Sequence, residues 1–128
     1  MVRLAPSEHY RFTQACPGSM DLTFGGAESS VAASISILGG SSRFVSALPQ
    51  HAIADAFVRQ MRGFKVDVDH VLRREAGRFG IYYVETGANQ RPSRVIYDRD
   101  YSAVSICPGE EYDWDAILVD AQWLHISG

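Results

Sequence analysis

Gly80-Ile81-Tyr82-Tyr83-Val84-Glu85 and, after a polar connection, Arg91-Pro92-Ser93-Arg94-Val95-Ile96-Tyr97-Asp98-Arg99 form the stretch that decides the fold. Both segments contain the aromatic and β-branched residues that favour strands. Residues 86–90 between them are turn-forming, so the sequence predicts a β-hairpin. A hairpin with polar faces, placed after alternating strands and helices, is better explained as a lid over a binding site than as additional core.

The chain upstream of the hairpin alternates between strands and helices. It predicts, in order, a strand at 20–24, a helix at 27–38, a strand at 43–48 and a helix at 53–63. Apolar residues recur at the helical spacing in both helices, and glycine marks the end of each one. This order is typical of an α/β domain with a mainly parallel sheet and flanking helices.

Shorter patterns predict the other strands of the N-terminal half and the strand before the hairpin. Val2–Ala5 is the end of a strand that is stopped by Pro6, because proline cannot donate to a sheet ladder. Residues 9–13 alternate as a half-buried strand, and residues 70–73 form another. We therefore expect lid strands within about 7–24 and 70–99, inserted in the α/β part.

The C-terminal part predicts one more helix and one more strand. Asp113 caps the helix, and one face of it carries Trp114, Ile117, Leu118 and Ala121. Residues 123–128 then form a strand with no helix to cover it. We therefore expect the chain to be a fragment of a longer protein.

The composition is that of an ordinary globular domain, with 46% apolar and 21% charged residues among 128. A formal net charge of −3 argues against nucleic acid as the main partner. No apolar run is long enough for a membrane span, and the N-terminus has no signal-peptide core, so we expect a soluble protein of the cytoplasm. Cys16 and Cys107 lack metal-type spacing and are expected to be free thiols.

The glycine pair Gly25-Gly26 precedes the first predicted helix. A helix that begins in this way offers unpaired amides and the positive end of its dipole, which suit an anion or a sugar oxygen. Many glycine pairs are only turns, and that alternative stays open. The four histidines of the chain show no metal-ligand spacing, and no catalytic residue or metal ligand is predicted.

Tyr97 and Arg99 project from the same face of their strand, because alternate side chains share a face. A phenol and a guanidinium placed together can bind a hydroxyl and a carboxylate of one small molecule. The alternatives are that the aromatic residues fill a sheet face and that the arginine is a solvated surface residue.

Together, these residues resemble the ribokinase-like (PfkB) carbohydrate kinases, and among them the 2-keto-3-deoxygluconate kinases. The resemblance covers nearly the whole chain and includes Gly25-Gly26-Ala27-Glu28 and the segment from Gly80 to Ala103. It implies that the sugar acid is bound by Gly25, Gly26, Ser30, Tyr82, Tyr97 and Arg99. Arg99 would hold the carboxylate, and Ser30 stands where the family has an asparagine.

The resemblance also implies a partial Rossmann-like sheet with flanking helices and a β lid. Residues 1–128 would be the N-terminal part of the kinase domain, and the longer parent would transfer the γ-phosphate of ATP, with magnesium. The family's Gly-x-Gly-Asp signature, which carries the catalytic base and lies near the nucleotide site, does not occur in these residues. We therefore expect no cofactor and no catalysis in this chain alone.

Two alternatives remain open. The chain could be a non-catalytic sugar-acid-binding or dimerisation module, since lid sheets of this family commonly pair between subunits. It could also belong to a related ribokinase- or fructokinase-type enzyme for a neutral sugar, in which Arg99 would have no carboxylate to hold. The expected partners are a small sugar acid and a second copy of the chain, with no nucleic acid and no membrane.

Overall fold

The computed structural model describes residues 1–127, which form an α/β structure with two separate sheets. The strands are β1 (Val2–Ala5), β2 (Asp21–Phe24), β3 (Ser46–Pro49), β4 (Val71–Arg74), β5 (Ile81–Glu85) and β6 (Arg94–Asp98). The helices are α1 (Phe12–Ala15), α2 (Ala27–Ile37), α3 (Ala52–Gly63), α4 (Ala103–Ile106) and α5 (Trp114–Leu118), with a 3₁₀ turn at Gly109–Glu111. No helix within residues 1–127 is both long enough and apolar enough to cross a membrane.

The larger sheet has four strands in the order β2-β1-β5-β6. The pairs β1–β2 and β5–β6 are antiparallel, whereas β1 and β5 run parallel. The predicted hairpin is confirmed as β5–β6, and Asn89 takes the left-handed conformation in its turn (φ 54°). The N-terminal strand therefore joins the lid hairpin in one sheet.

The smaller sheet pairs β3 and β4 in parallel, and α3 connects them. This is the β-α-β arrangement that the alternating pattern predicts. The expectation that a strand at 70–73 lies with the lid strands is wrong, because Val71–Arg74 pairs with Ser46–Pro49. The four-stranded sheet therefore draws on residues 81–98, rather than on all of 70–99.

The core lies between α3 and the two sheets. Phe57 of α3 is 3% exposed and makes edge-on contacts with Phe24, Phe44 and Phe79. Ala54 and Met61 lie on the same helical face and are also buried. Aromatic pairs of this geometry add to the free energy of burial, so α3 fixes the position of β2 relative to the smaller sheet.

Helix α2 is confirmed, but the apolar residues that recur at the helical spacing, Ala27, Val31, Ile35 and Leu38, do not form its buried face. The residues turned inward are small: Ser29, Ala32 and Ser36. Leu38, just beyond the helix, is 86% exposed and Ile35 is 42% exposed. Small side chains let the helix approach the core closely, and Ser42 Oγ donates to the carbonyl of Ala32 at 2.8 Å.

Two predicted strands are wrong. Residues 9–13 contain the start of α1, because the Phe12 amide donates to Glu85 Oε1 (2.9 Å) and the Phe12 ring packs edge-on against Tyr83. Residues 123–127 form no strand, since no described strand lies beside them to accept a ladder. Their apolar side chains are exposed, with Trp123 at 92%. Gly128 lies outside the described residues.

The third predicted helix is confirmed as α5, although it is shorter than expected and ends before Ala121. Asp113 caps it, accepting a hydrogen bond from the Ala116 amide at 3.1 Å. Only Ile117 of this helix is buried. Arg43 joins the end of α5 to the smaller sheet, because its guanidinium donates to the Ile117 carbonyl and to Asp67.

Candidate functional site

The two tyrosines of the hairpin form a cross-strand pair. Tyr82 of β5 lies directly opposite Tyr97 of β6, and their ring centroids are 6.3 Å apart with the planes tilted by 33°. Tyr82 is half-buried, whereas Tyr97 is 60% exposed. Directly opposed residues project from the same side of a sheet, so both rings belong to one face, which we call the tyrosine face.

Arg99 follows Tyr97 by two residues and projects from the same face of the sheet. Its guanidinium carbon lies 5.0 Å from the centroid of the Tyr97 ring, which is a cation–π distance. Asp98, on the opposite face, is ion-paired with Arg78. Among residues 1–127, the Arg99 guanidinium has neither a hydrogen bond nor an ion pair, so it is available to an anion.

Two glycines make room beside these side chains. A Cβ atom on Gly25 would lie 2.2 Å from the hydroxyl oxygen of Tyr82, closer than any real contact. A Cβ atom on Gly80 would lie 3.1 Å from the Cβ of Arg99. The absence of a side chain at position 25 is therefore what allows Tyr82 to reach across the sheet.

Gly26 and Ser30 lie at the start of α2. The Gly26 carbonyl accepts hydrogen bonds from the Ser29 hydroxyl (3.1 Å) and from the Ser30 amide (2.9 Å). Ser29 is buried and Ser30 is exposed. The Ser30 hydroxyl has no hydrogen bond to the described residues, the two tyrosines included.

A row of four side chains runs across the whole sheet on the tyrosine face. The register pairs Thr23 with Arg3, Arg3 with Tyr82, and Tyr82 with Tyr97. Thr23 and Arg3 are absent from the sequence-based site. The alternation of side chains along a strand does not tell which of the two sheet faces these residues share with the tyrosines. The pairing of β1 with β5 shows that they lie on the tyrosine face.

A groove of about 720 Å³ opens next to Arg99, between the four-stranded sheet and the smaller sheet. Its lining includes Glu28, Leu48, Phe79 and Ser102. The Ser127 hydroxyl donates to Glu28 and holds the pKa of this carboxyl below its ordinary value. Within residues 1–127, no group of three histidine, cysteine, aspartate or glutamate side chains could hold a metal ion.

Residues 6–128 match the family model described as pfkB family carbohydrate kinase. The chain belongs to this family. The ribokinase-like α/β fold that the sequence resemblance implies is therefore confirmed.

The relatives include kinases of 2-keto-3-deoxy sugar acids. A 2-dehydro-3-deoxygalactonokinase of Haloferax volcanii is 36% identical over all of this chain. The crystal structure of a 2-dehydro-3-deoxygluconokinase of Thermotoga maritima is 44% identical over 96% of the chain, with a TM-score of 0.90. A sugar kinase of Pyrococcus horikoshii in complex with ATP is 20% identical over 91% of the chain and shares the fold, with a TM-score of 0.78.

The chain spans well under half the length of these relatives. It corresponds to 39% of the Haloferax volcanii protein and to 37% of each of the other two chains. The residues of this chain that the family model matches include the β5–β6 hairpin and the start of α2.

Proposed function

We propose that this chain is the sugar-acid-binding portion of a kinase that phosphorylates a 2-keto-3-deoxy sugar acid such as 2-keto-3-deoxygluconate. The observation that carries the proposal is the Arg99 guanidinium, which has no described acidic partner and lies 5.0 Å from the Tyr97 ring. A positive group beside two phenols suits a small molecule that has both a carboxylate and hydroxyl groups. A neutral sugar would leave this guanidinium without an anionic partner.

In this proposal each side chain of the tyrosine face has a separate task. Arg99 binds the carboxylate through charge-assisted hydrogen bonds, which are stronger than neutral ones. The phenols of Tyr82 and Tyr97 exchange hydrogen bonds with substrate hydroxyls, because a phenol both donates and accepts. Gly25 keeps the space that Tyr82 needs. Fixing the substrate in this way lowers the entropic part of the reaction barrier.

ATP and magnesium are the proposed cofactors of the longer protein. The Pyrococcus horikoshii relative was solved with ATP, which supports the nucleotide. Among the described residues, no three histidine, cysteine, aspartate or glutamate side chains come together as a metal site. No phosphoryl-transfer step is therefore assigned to a residue of this chain, and its proposed part in the reaction is to bind and orient the acceptor.

The experiment is a chimeric kinase. Residues 1–128 replace the matching segment of the Thermotoga maritima enzyme, which supplies the remaining 63% of that chain. We expect ATP-dependent phosphorylation of 2-keto-3-deoxygluconate with a catalytic efficiency well above that for fructose. A folded chimera that prefers fructose would contradict the proposal, and the native Thermotoga maritima enzyme serves as the control.

We also propose that the protein is cytoplasmic and that it self-associates. Cys16 and Cys107 are both free, which suits a reducing compartment. Strands β2 and β6 are the edges of the four-stranded sheet, and Val95 and Ile96 on β6 are each 43% exposed. Such edges can pair with a second copy of the chain.

A further inference from the structure

Arg3 is the central basic residue of the tyrosine face. It lies in the middle of β1, in register with Thr23 on one side and Tyr82 on the other. Because paired residues point to the same side of a sheet, the Arg3 side chain leaves the backbone next to the Tyr82 side chain. Arg3 and Arg99 thus flank the tyrosine pair from opposite sides.

Arg3 differs from the other arginines in its surroundings. Within residues 1–127, five guanidinium groups donate no hydrogen bond and form no ion pair: Arg3, Arg11, Arg59, Arg94 and Arg99. Of these five, Arg3 alone is half-buried and the others are exposed. Asp21, the acidic residue on the same face of β2, accepts a hydrogen bond from Ser7 at 3.5 Å and forms no ion pair with Arg3.

Within residues 1–127, buried side-chain nitrogens without a hydrogen bond are found only in Arg73 and Arg74, so the Arg3 guanidinium stays accessible at this face. A ligand that brings oxygen atoms to this face would accept hydrogen bonds from it. Neighbouring strands are about 4.8 Å apart, so the backbones of β1 and β6 are separated by about 10 Å, with β5 between them. Two long side chains that start from these strands can reach both ends of one six-carbon molecule lying over Tyr82 and Tyr97.

We propose that Arg3 is a specificity-determining residue. It binds the hydroxyl-bearing end of the sugar acid, while Arg99 binds the carboxylate at the other end. The inference rests on the proposed function, since it assigns a second guanidinium to the same substrate. It also explains the row Thr23, Arg3, Tyr82 and Tyr97, in which polar side chains follow one another across four strands. A small molecule on this row would contact all four strands.

The test follows the side-chain Nε–Hε signals of the arginines by NMR in the 128-residue chain. The signals are assigned with Arg3→Lys, Arg99→Lys and Arg94→Lys, and 2-keto-3-deoxygluconate is then added. We expect the signals of Arg3 and Arg99 to shift together with a single dissociation constant. Arg94 is the matched control, because it is exposed and lies on the opposite face of β6.

The variant Arg3→Gln should raise the dissociation constant for 2-keto-3-deoxygluconate at least fivefold and leave the Arg99 signal responsive. The variant Arg94→Gln should leave this dissociation constant unchanged. Backbone amide spectra establish that each variant is folded. If only Arg99 responds and Arg3→Gln binds as well as wild type, the inference is overturned while the proposed function stands. If no arginine responds and no binding is measured, both are overturned. An equal response of Arg3 to chloride or phosphate would also overturn the inference.

Discussion

The hydroxyl of Tyr82 occupies the space that a side chain at position 25 would need. A Cβ atom on Gly25 would lie 2.2 Å from the hydroxyl oxygen and 3.2 Å from the ring carbon that bears it. The two residues are more than fifty positions apart in the chain, yet each limits what the other position can be. This relationship links the glycine pair before α2 to the tyrosine face.

The variant Gly25→Ala should displace the Tyr82 phenol. We expect the free energy of unfolding to fall by about 1 kcal/mol, at the low end of overpacking, because the atom that must move is the tip of a flexible side chain. Gly63→Ala is the control, since nothing lies within 4 Å of a Cβ there. Denaturant unfolding should show that Tyr82→Phe recovers part of the loss in the double variant. Strictly additive effects would mean that the two residues do not interact.

Arg99→Ala, made in the chimeric kinase, should reduce discrimination between an acid and a neutral sugar. A charge-assisted hydrogen bond contributes roughly 1.5 to 3 kcal/mol, so the catalytic efficiency for 2-keto-3-deoxygluconate should fall by about tenfold or more. The efficiency for fructose should hardly change. The measurement is the ratio of the two efficiencies, with Arg94→Ala as the control. An unchanged ratio would assign Arg99 to the protein surface.

The 128-residue chain alone should show no ATP-dependent kinase activity. It contains no Gly-x-Gly-Asp sequence, the signature that carries the catalytic base in this family. Phosphoryl transfer depends on metal ions and positioned donors to stabilise charge. A coupled assay of ADP release with 2-keto-3-deoxygluconate measures this. Turnover that persists after removal of contaminating host kinases would contradict the expectation.

The chain should self-associate in solution. Strand β6 is an open edge of the sheet, and Trp123, Leu124 and Ile126 are 92%, 67% and 78% exposed. Light scattering should therefore give a mass that rises with concentration. Ile96→Lys places a charge on the edge strand and should lower that mass, whereas Thr13→Lys on exposed α1 should not. A constant monomer mass at high concentration would rule out this behaviour.

The contact between Ser127 and Glu28 should be lost in acid. The hydrogen bond from Ser127 lowers the pKa of Glu28 from its ordinary value of 4.5, so its contribution is present above pH 4.5 and is lost as the pH falls through the lowered pKa. The backbone NOE of Ser127 should then decrease as the pH falls through this lowered pKa. In Glu28→Ala the NOE should be low at every pH, and Glu110→Gln should behave like wild type.

Much of the fold could be predicted because its signals are local. The hairpin at β5 and β6 follows from two strand-like segments and the turn between them, and α3 follows from the spacing of Phe57 and Met61. The inward face of α2 could not be predicted in this way. Its buried residues are Ser29, Ala32 and Ser36, and close packing selected these small side chains over the larger apolar ones.

The candidate site was predicted only in part, for a related reason. Tyr97 and Arg99 share a strand, so their common face follows from the two-residue repeat of a strand. The contribution of Arg3 depends on a parallel pairing between strands that are almost eighty residues apart. A pairing at that distance is set by tertiary packing, and the prediction of a strand at 9–13 failed because contacts with Tyr83 and Glu85 are equally remote.

The parallel pairing of β1 with β5 also determines the order in which this face can be assembled. A peptide covering 78–100 contains both tyrosines and Arg99, and its hairpin closes a short loop. Strand β1 can pair with β2 across a short loop, but it reaches β5 only by closing a loop of more than seventy residues, with the corresponding loss of chain entropy. The tyrosine face is therefore completed only after β5 has been made, although β1 precedes β5 in the chain.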